Sequence, residues 1–113
     1  MEQQLTTLTL TDTTFASTVQ ESTQPLLVDF WADWCGPCHV MGPIIDELAA
    51  DLAGTVKVAK VNVDDYPQLA VQFGIHSIPT LLVFQDGQVV DKAVGVVSKQ
   101  ALVAKLEALE QAA

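Results

Sequence analysis

Along this chain the spacing of apolar residues switches repeatedly between the two-residue period of a strand and the three-to-four-residue period of a helix. Thr and Leu alternate from Gln4 to Leu10, which predicts a short first strand. Thr11 to Glu21 opens on Thr and Asp, good helix caps, and carries Phe15 and Val19 at helical spacing. Leu26 to Ala32 is almost wholly apolar and reads as a buried strand. Val40, Met41, Ile44, Ile45, Leu48, Ala49 and Leu52 then mark the apolar stripe of a long helix that ends near Gly54, with a kink expected at Pro43.

Val56 to Val63 alternates as a strand, and Pro67 to Phe73 predicts a short helix closed by Gly74. Thr80 to Gln85 and Gln88 to Val94 flank Asp86-Gly87, the strongest hairpin signal in the chain. Ser98 to Leu109 predicts a last helix, capped by Ser98 and apolar at Leu102, Leu106 and Leu109. The order β-α-β-α-β-α-β-β-α implies a parallel segment of sheet extended by an antiparallel hairpin, with helices on both faces.

With 113 residues and half of them hydrophobic, one compact domain spanning residues 1–113 is expected, and it has ample material for a core. Five lysines, no arginine and fourteen acids leave a net charge of -9. That balance argues against a nucleic-acid partner, because phosphate affinity rests on clustered cations. Met1 to Leu10 is polar, without the basic and apolar segments of an export signal, and the apolar runs are too short to span a membrane. The expectation is a cytoplasmic monomer. In a reducing compartment, two cysteines separated by two residues point to redox or metal chemistry rather than a structural staple.

Trp34-Cys35-Gly36-Pro37-Cys38 sits where the second strand gives way to the long helix. Cys35 therefore belongs at a helix N-terminus, where unpaired N–H groups and the helix dipole favour a negative sulfur. Thiolate is the nucleophile in disulfide exchange. Cys38, three residues on, can approach the first sulfur, while Gly36 and Pro37 shape the turn. Closing so short a loop restrains the unfolded chain by only about 2 kcal/mol. A weakly stabilising, exposed bond of this kind suits reversible chemistry.

The chain resembles the thioredoxin family over nearly its whole length. The resemblance rests on Val28-Asp29-Phe30-Trp31-Ala32-Asp33-Trp34-Cys35-Gly36-Pro37-Cys38, Pro43, Lys60, Asp64, the segment Gly74-Ile75-His76-Ser77-Ile78-Pro79-Thr80, Asp86-Gly87 and Gly95. It implies a central five-stranded mixed sheet flanked by four helices, and a protein-disulfide reductase. It also implies Cys35 as the attacking thiolate and Cys38 as the thiol that resolves the mixed disulfide. No bound cofactor or metal is implied. Electrons would come from NADPH through a flavin-containing thioredoxin reductase, and the disulfide-containing targets would include ribonucleotide reductase, peroxiredoxin and methionine sulfoxide reductase.

Asp29 stands inside an apolar strand, where burial raises a carboxyl pKa, so it is a candidate to accept the Cys38 proton. Lys60 is a candidate to pair with Asp29 and tune it, or else buries its stem and sends its ammonium to water. By the same resemblance Pro79 is expected in the cis form, with the Ile78 backbone free to pair with an extended substrate. Trp34, Ile75, Ile78, Pro79 and Gly95 would line a substrate platform, with Trp31 packed under the loop.

Cys35-Gly36-Pro37-Cys38-His39 also fits a covalent haem attachment pattern, which the absence of an export signal opposes. Cys35, Cys38, His39 and His76 contain enough donors for zinc, but adjacent Cys38 and His39 point apart on a helix. His39 stands where many family members have Lys or Arg, which makes the charge beside the cysteines pH-dependent. Two other functions remain in view: a disulfide oxidase or isomerase on the same scaffold, and a binding module whose cysteines are incidental.

Overall fold

The computed structural model describes residues 6–112. Its elements follow the order β1 (Leu8–Thr9), α1 (Asp12–Glu21), β2 (Leu26–Trp31), α2 (Gly36–Asp51), β3 (Lys57–Asn62), α3 (Pro67–Gln72), β4 (Thr80–Gln85), β5 (Gln88–Val94) and α4 (Lys99–Ala112). The strands form one sheet in the order β1-β3-β2-β4-β5. β1, β3 and β2 run parallel, and β4 and β5 run antiparallel to their neighbours. This is the architecture expected from the resemblance, a mixed five-stranded sheet with four helices.

The local signals act where the sequence placed them. Thr11 caps α1 in a capping box with Thr14. The turn between β4 and β5 is the two-residue Asp86-Gly87, with φ of +53° and +80°, the backbone handedness that a tight hairpin requires. Ser98 receives the Ala101 N–H on its hydroxyl and caps α4. The first strand is shorter than expected: β1 is only Leu8–Thr9, and Gln4 and Leu5 lie outside the described residues. α2 ends at Asp51 with Leu52 as cap, so Gly54, at φ +88°, lies in the turn beyond it.

Every residue from Leu26 to Phe30 is buried, which requires helices on both faces of β2. Leu27 packs with Met41, Ile45 and Leu48 of α2 and with Leu102 and Leu106 of α4. Leu26, Val28 and Phe30 pack on the opposite face against Phe15 and Val19 of α1 and Leu69 of α3. In that second core Phe15 meets Phe73 and Phe84 at centroid distances of 5.3 and 5.8 Å. Strand alternation puts Asp29 on the face of Leu27, directly under α2. Val40, assigned by spacing to the apolar stripe of α2, is instead 55% exposed, because Cys38 and Met41 hold the inward positions on either side.

Phe15→Ala should lower stability by about 3–5 kcal/mol, because the cavity left between α1 and the sheet cannot close fully. Val71→Ala, at a side chain 80% exposed, should change it by less than about 0.5 kcal/mol. Denaturant midpoints read by tryptophan fluorescence check both, and equal losses would refute this assignment of the core.

Candidate functional site

β2 ends at Trp31 and α2 begins at Gly36, so the linking residues stand at the carboxyl edge of the sheet. Cys35 is the N-cap of α2, and Pro37 occupies its first turn, where the missing N–H is not needed. The Cys38 N–H donates to Cys35 Sγ at 3.2 Å, the place a helix offers to a negative capping atom. Cys35 and Cys38 are joined in a disulfide, with Cα atoms 5.3 Å apart.

The bond is less open than the sequence suggested. Cys35 is 4% exposed and Cys38 3%, whereas Trp34 is 70% exposed. Cys38 is the first residue of the buried stripe of α2, followed by Met41, Ile45 and Leu48, and is therefore turned into the protein. Cys35 Sγ lies 3.6 Å from the Ile78 carbonyl oxygen. The Ile78–Pro79 peptide is cis. The Gly95 N–H donates to the Pro79 carbonyl at 2.8 Å, and Gly95 has φ +85°, a conformation that suits glycine.

Trp34, Ile75 and Ile78 share a cleft of about 290 Å³ with Val63, Ala70, His76 and Ser77. Pro79 and Gly95, expected on the same platform, are not in its lining. Trp34 is held by its indole N–H, which donates to Asp64 Oδ2 at 2.9 Å. Asp64 follows β3, so the third strand fixes the orientation of a ring on the active loop.

On the inner side of the disulfide, a cavity of about 370 Å³ is lined by Asp29, Trp31, Cys38, His39, Asp46 and Lys60 among others. Asp29 is 3% exposed, and its Oδ1 and the Trp31 indole N–H are buried without a hydrogen-bond partner. Burial pushes the Asp29 carboxyl up from 3.8 to about 7; Lys60 pulls it down and Asp46 adds to the rise. Lys60 is Asp29's neighbour in the β2–β3 register, but its ammonium lies over the Trp31 ring, 5.3 Å from the centroid. Among the described residues Lys60 makes no direct ion pair with Asp29, so it acts on the carboxyl through space.

The structure thus brings Cys38, Asp29 and Lys60 to one cavity, with Cys35 bonded to Cys38 and with Gly36 and Pro37 exposed. His39 lines the inner cavity and His76 the outer cleft, so the four donors considered for zinc are not assembled around one point. Sequence reasoning missed Asp46 and the bond from Trp34 to Asp64. Asp46 was reachable: it lies eight residues beyond Cys38, close to the same side of a helix. The partner of Trp34 comes from a distant strand and left no local signal.

Residues 6–108 match a family model described as Thioredoxin. The chain is 53% identical over 98 residues to Thioredoxin 1 of a Nostoc species and to Thioredoxin 1 of Synechococcus elongatus, covering 87% of this chain and 92% of each relative. It is 50% identical over 95 residues to a thioredoxin of Haemophilus influenzae, covering 84% of this chain and 89% of that one.

The raised Asp29 pKa sets a pH window for stability. The unfolded carboxyl ionises near 3.8 and the folded one near 7, so the folded form holds its proton longer. Its contribution is fully present below 3.8 and is lost as pH rises towards 7, about 4 kcal/mol in all. Asp29→Asn should flatten that decline and exceed the parent in stability at pH 8 by roughly 2–4 kcal/mol. Denaturation series from pH 4 to 8 test this, and an equal decline in the variant would overturn it.

Proposed function

The chain belongs to the thioredoxin family and is a protein-disulfide oxidoreductase, a premise from which we propose the part each residue plays in reducing a substrate disulfide. Residues 1–113 act as one thioredoxin domain. The observation that carries the reading is the position of Cys35 as N-cap of α2, bonded to Cys38 and beside the Ile78 carbonyl.

Once the disulfide is reduced, the helix N-terminus favours the Cys35 thiolate. This thiolate attacks one sulfur of the substrate disulfide; the other leaves as a thiolate, and a mixed disulfide forms. Cys38 then gives its proton to Asp29 and attacks Cys35 Sγ. The second substrate sulfur departs as a thiolate, and the Cys35–Cys38 disulfide is restored. Asp29 suits the proton transfer because a carboxyl near 7 exchanges protons readily at neutral pH. Lys60 tempers the rise and keeps part of the carboxyl ionised.

Trp34, Ile75 and Ile78 form the apolar wall against which an extended substrate segment lies, with its backbone paired to Ile78 and with Pro79 and Gly95 fixing that loop. Gly36 and Pro37 shape the exposed turn. Electrons return from NADPH through a flavin-containing thioredoxin reductase. The targets are disulfide-bearing proteins of the cytoplasm, with ribonucleotide reductase, peroxiredoxin and methionine sulfoxide reductase as family candidates, and the protein works as a monomer. None of the described helices is long and apolar enough to cross a membrane.

Cys35→Ser should abolish reduction of a protein disulfide, whereas Cys38→Ser should accumulate the mixed disulfide, visible as a mass adduct released by dithiothreitol. Full function in cells of the variant with both cysteines changed to serine would leave only a binding role. The Cys35–Cys38 pair should equilibrate below the cytosolic glutathione poise, which is about -220 to -260 mV by extraction. A potential in the range of disulfide-forming proteins, about -120 mV, would favour an oxidase instead.

A further inference from the structure

The proton transfer described above leaves unused the one imidazole in the lining of the inner cavity. His39 stands one residue beyond Cys38, is exposed to solvent, and lines the same cavity as Asp29 and Cys38. Its Nε2 lies 2.7 Å from the Asp33 carbonyl oxygen. A carbonyl only accepts, so Nε2 carries the hydrogen and Nδ1 is the nitrogen that takes up a proton. The Trp31 ring meets the imidazole edge to face at a centroid distance of 6.4 Å and limits its rotation.

Two polar atoms at this cavity have no protein partner, Asp29 Oδ1 and the Trp31 indole nitrogen. A space of about 370 Å³ with such groups in its wall has room and donors for ordered water. We propose that His39 is the outer station of a proton path, exchanging protons between solvent and the buried Asp29 through water in the cavity. The inference rests on Asp29 being the base for Cys38.

In the resolving step the Cys38 proton passes to the Asp29 carboxylate as Cys38 Sγ bonds to Cys35 Sγ. The departing substrate thiolate takes its proton from solvent. The proton on Asp29 then crosses to Nδ1 of His39 and on to bulk water, which returns the carboxylate for the next turnover. Two electrons pass from the dithiol to the substrate disulfide, and no other reactant is needed. The charged groups around the imidazole are Asp46 on its own helix, Asp29 from β2, Asp33 from the loop and Lys60 from β3. Thr7 donates to Asp46 Oδ1 at 2.7 Å and fixes one of those carboxylates.

The test compares His39→Gln with the parent at pH 8. Glutamine can keep a donor for the Asp33 carbonyl but carries no proton. The expected result is a fall of at least about tenfold in kcat for protein-disulfide reduction, less than the roughly hundredfold or more of a group that acts directly on the reacting atoms. Mixed-disulfide formation, measured in a Cys38→Ser background, should not change, and added imidazole should restore kcat in proportion to its concentration. Unchanged kcat in His39→Gln, or a fall that imidazole does not rescue, overturns the relay. Asp29→Asn separates the two readings. If it slows turnover while His39→Gln does not, only the relay fails; if it leaves turnover unchanged, the base assignment fails and the relay with it.

Discussion

The burial of Leu26 to Phe30 in β2 is the constraint on which the rest of the structure depends. Leu26 to Phe30 offer no face to water, so the strand holds only if helices cover it on both sides. α2 and α4 supply one cover and α1 and α3 the other. Because α2 must lie on the β2–β3 face, the short link from Trp31 to Gly36 has to turn sharply at the carboxyl edge of the sheet. The disulfide sits in that turn, and its location is a consequence of how the core is closed.

The same covering creates the electrostatics. A carboxylate in the middle of β2 is carried into the space beneath α2, where desolvation outweighs the pull of the nearby Lys60 ammonium and lifts its pKa to about 7. Keeping Asp29 there costs stability above neutral pH, and Oδ1 has no protein partner to offset the cost. A carboxyl that is expensive to ionise is also one that exchanges protons at physiological pH, so a local weakness of the fold and its chemistry have one physical origin.

The two sides of the disulfide divide the work. Outside, an exposed indole held by Asp64 and the apolar residues of the Ile75–Ile78 segment give a surface suited to an extended chain. Inside, Asp29, Asp46, Lys60 and His39 line a cavity that Cys38 also borders. Cys35 faces the Ile78 backbone and Cys38 belongs to the inward stripe of α2. One sulfur thereby lies beside the Ile78 backbone and the other borders the inner cavity.

Much of this was legible in the amino-acid sequence. Periodicity located α1, the buried strand, the long helix and the β4–β5 hairpin, because helix and strand repeats and the Asp86-Gly87 turn are local properties of adjacent residues. The Cys35–Cys38 spacing pointed to disulfide chemistry, and the wider resemblance supplied the family. Spacing failed at Val40, where an apolar residue is turned outwards, and it overstated the exposure of the disulfide. Burial depends on which neighbours arrive from elsewhere in the chain. The hold of Asp64 on Trp34, the seat of the Lys60 ammonium over Trp31, and the shared cavity of Asp29, His39 and Asp46 were likewise decided only by tertiary structure. Each joins elements distant in sequence, and a contact of that kind exists only once the sheet order and the packing of its helices are set.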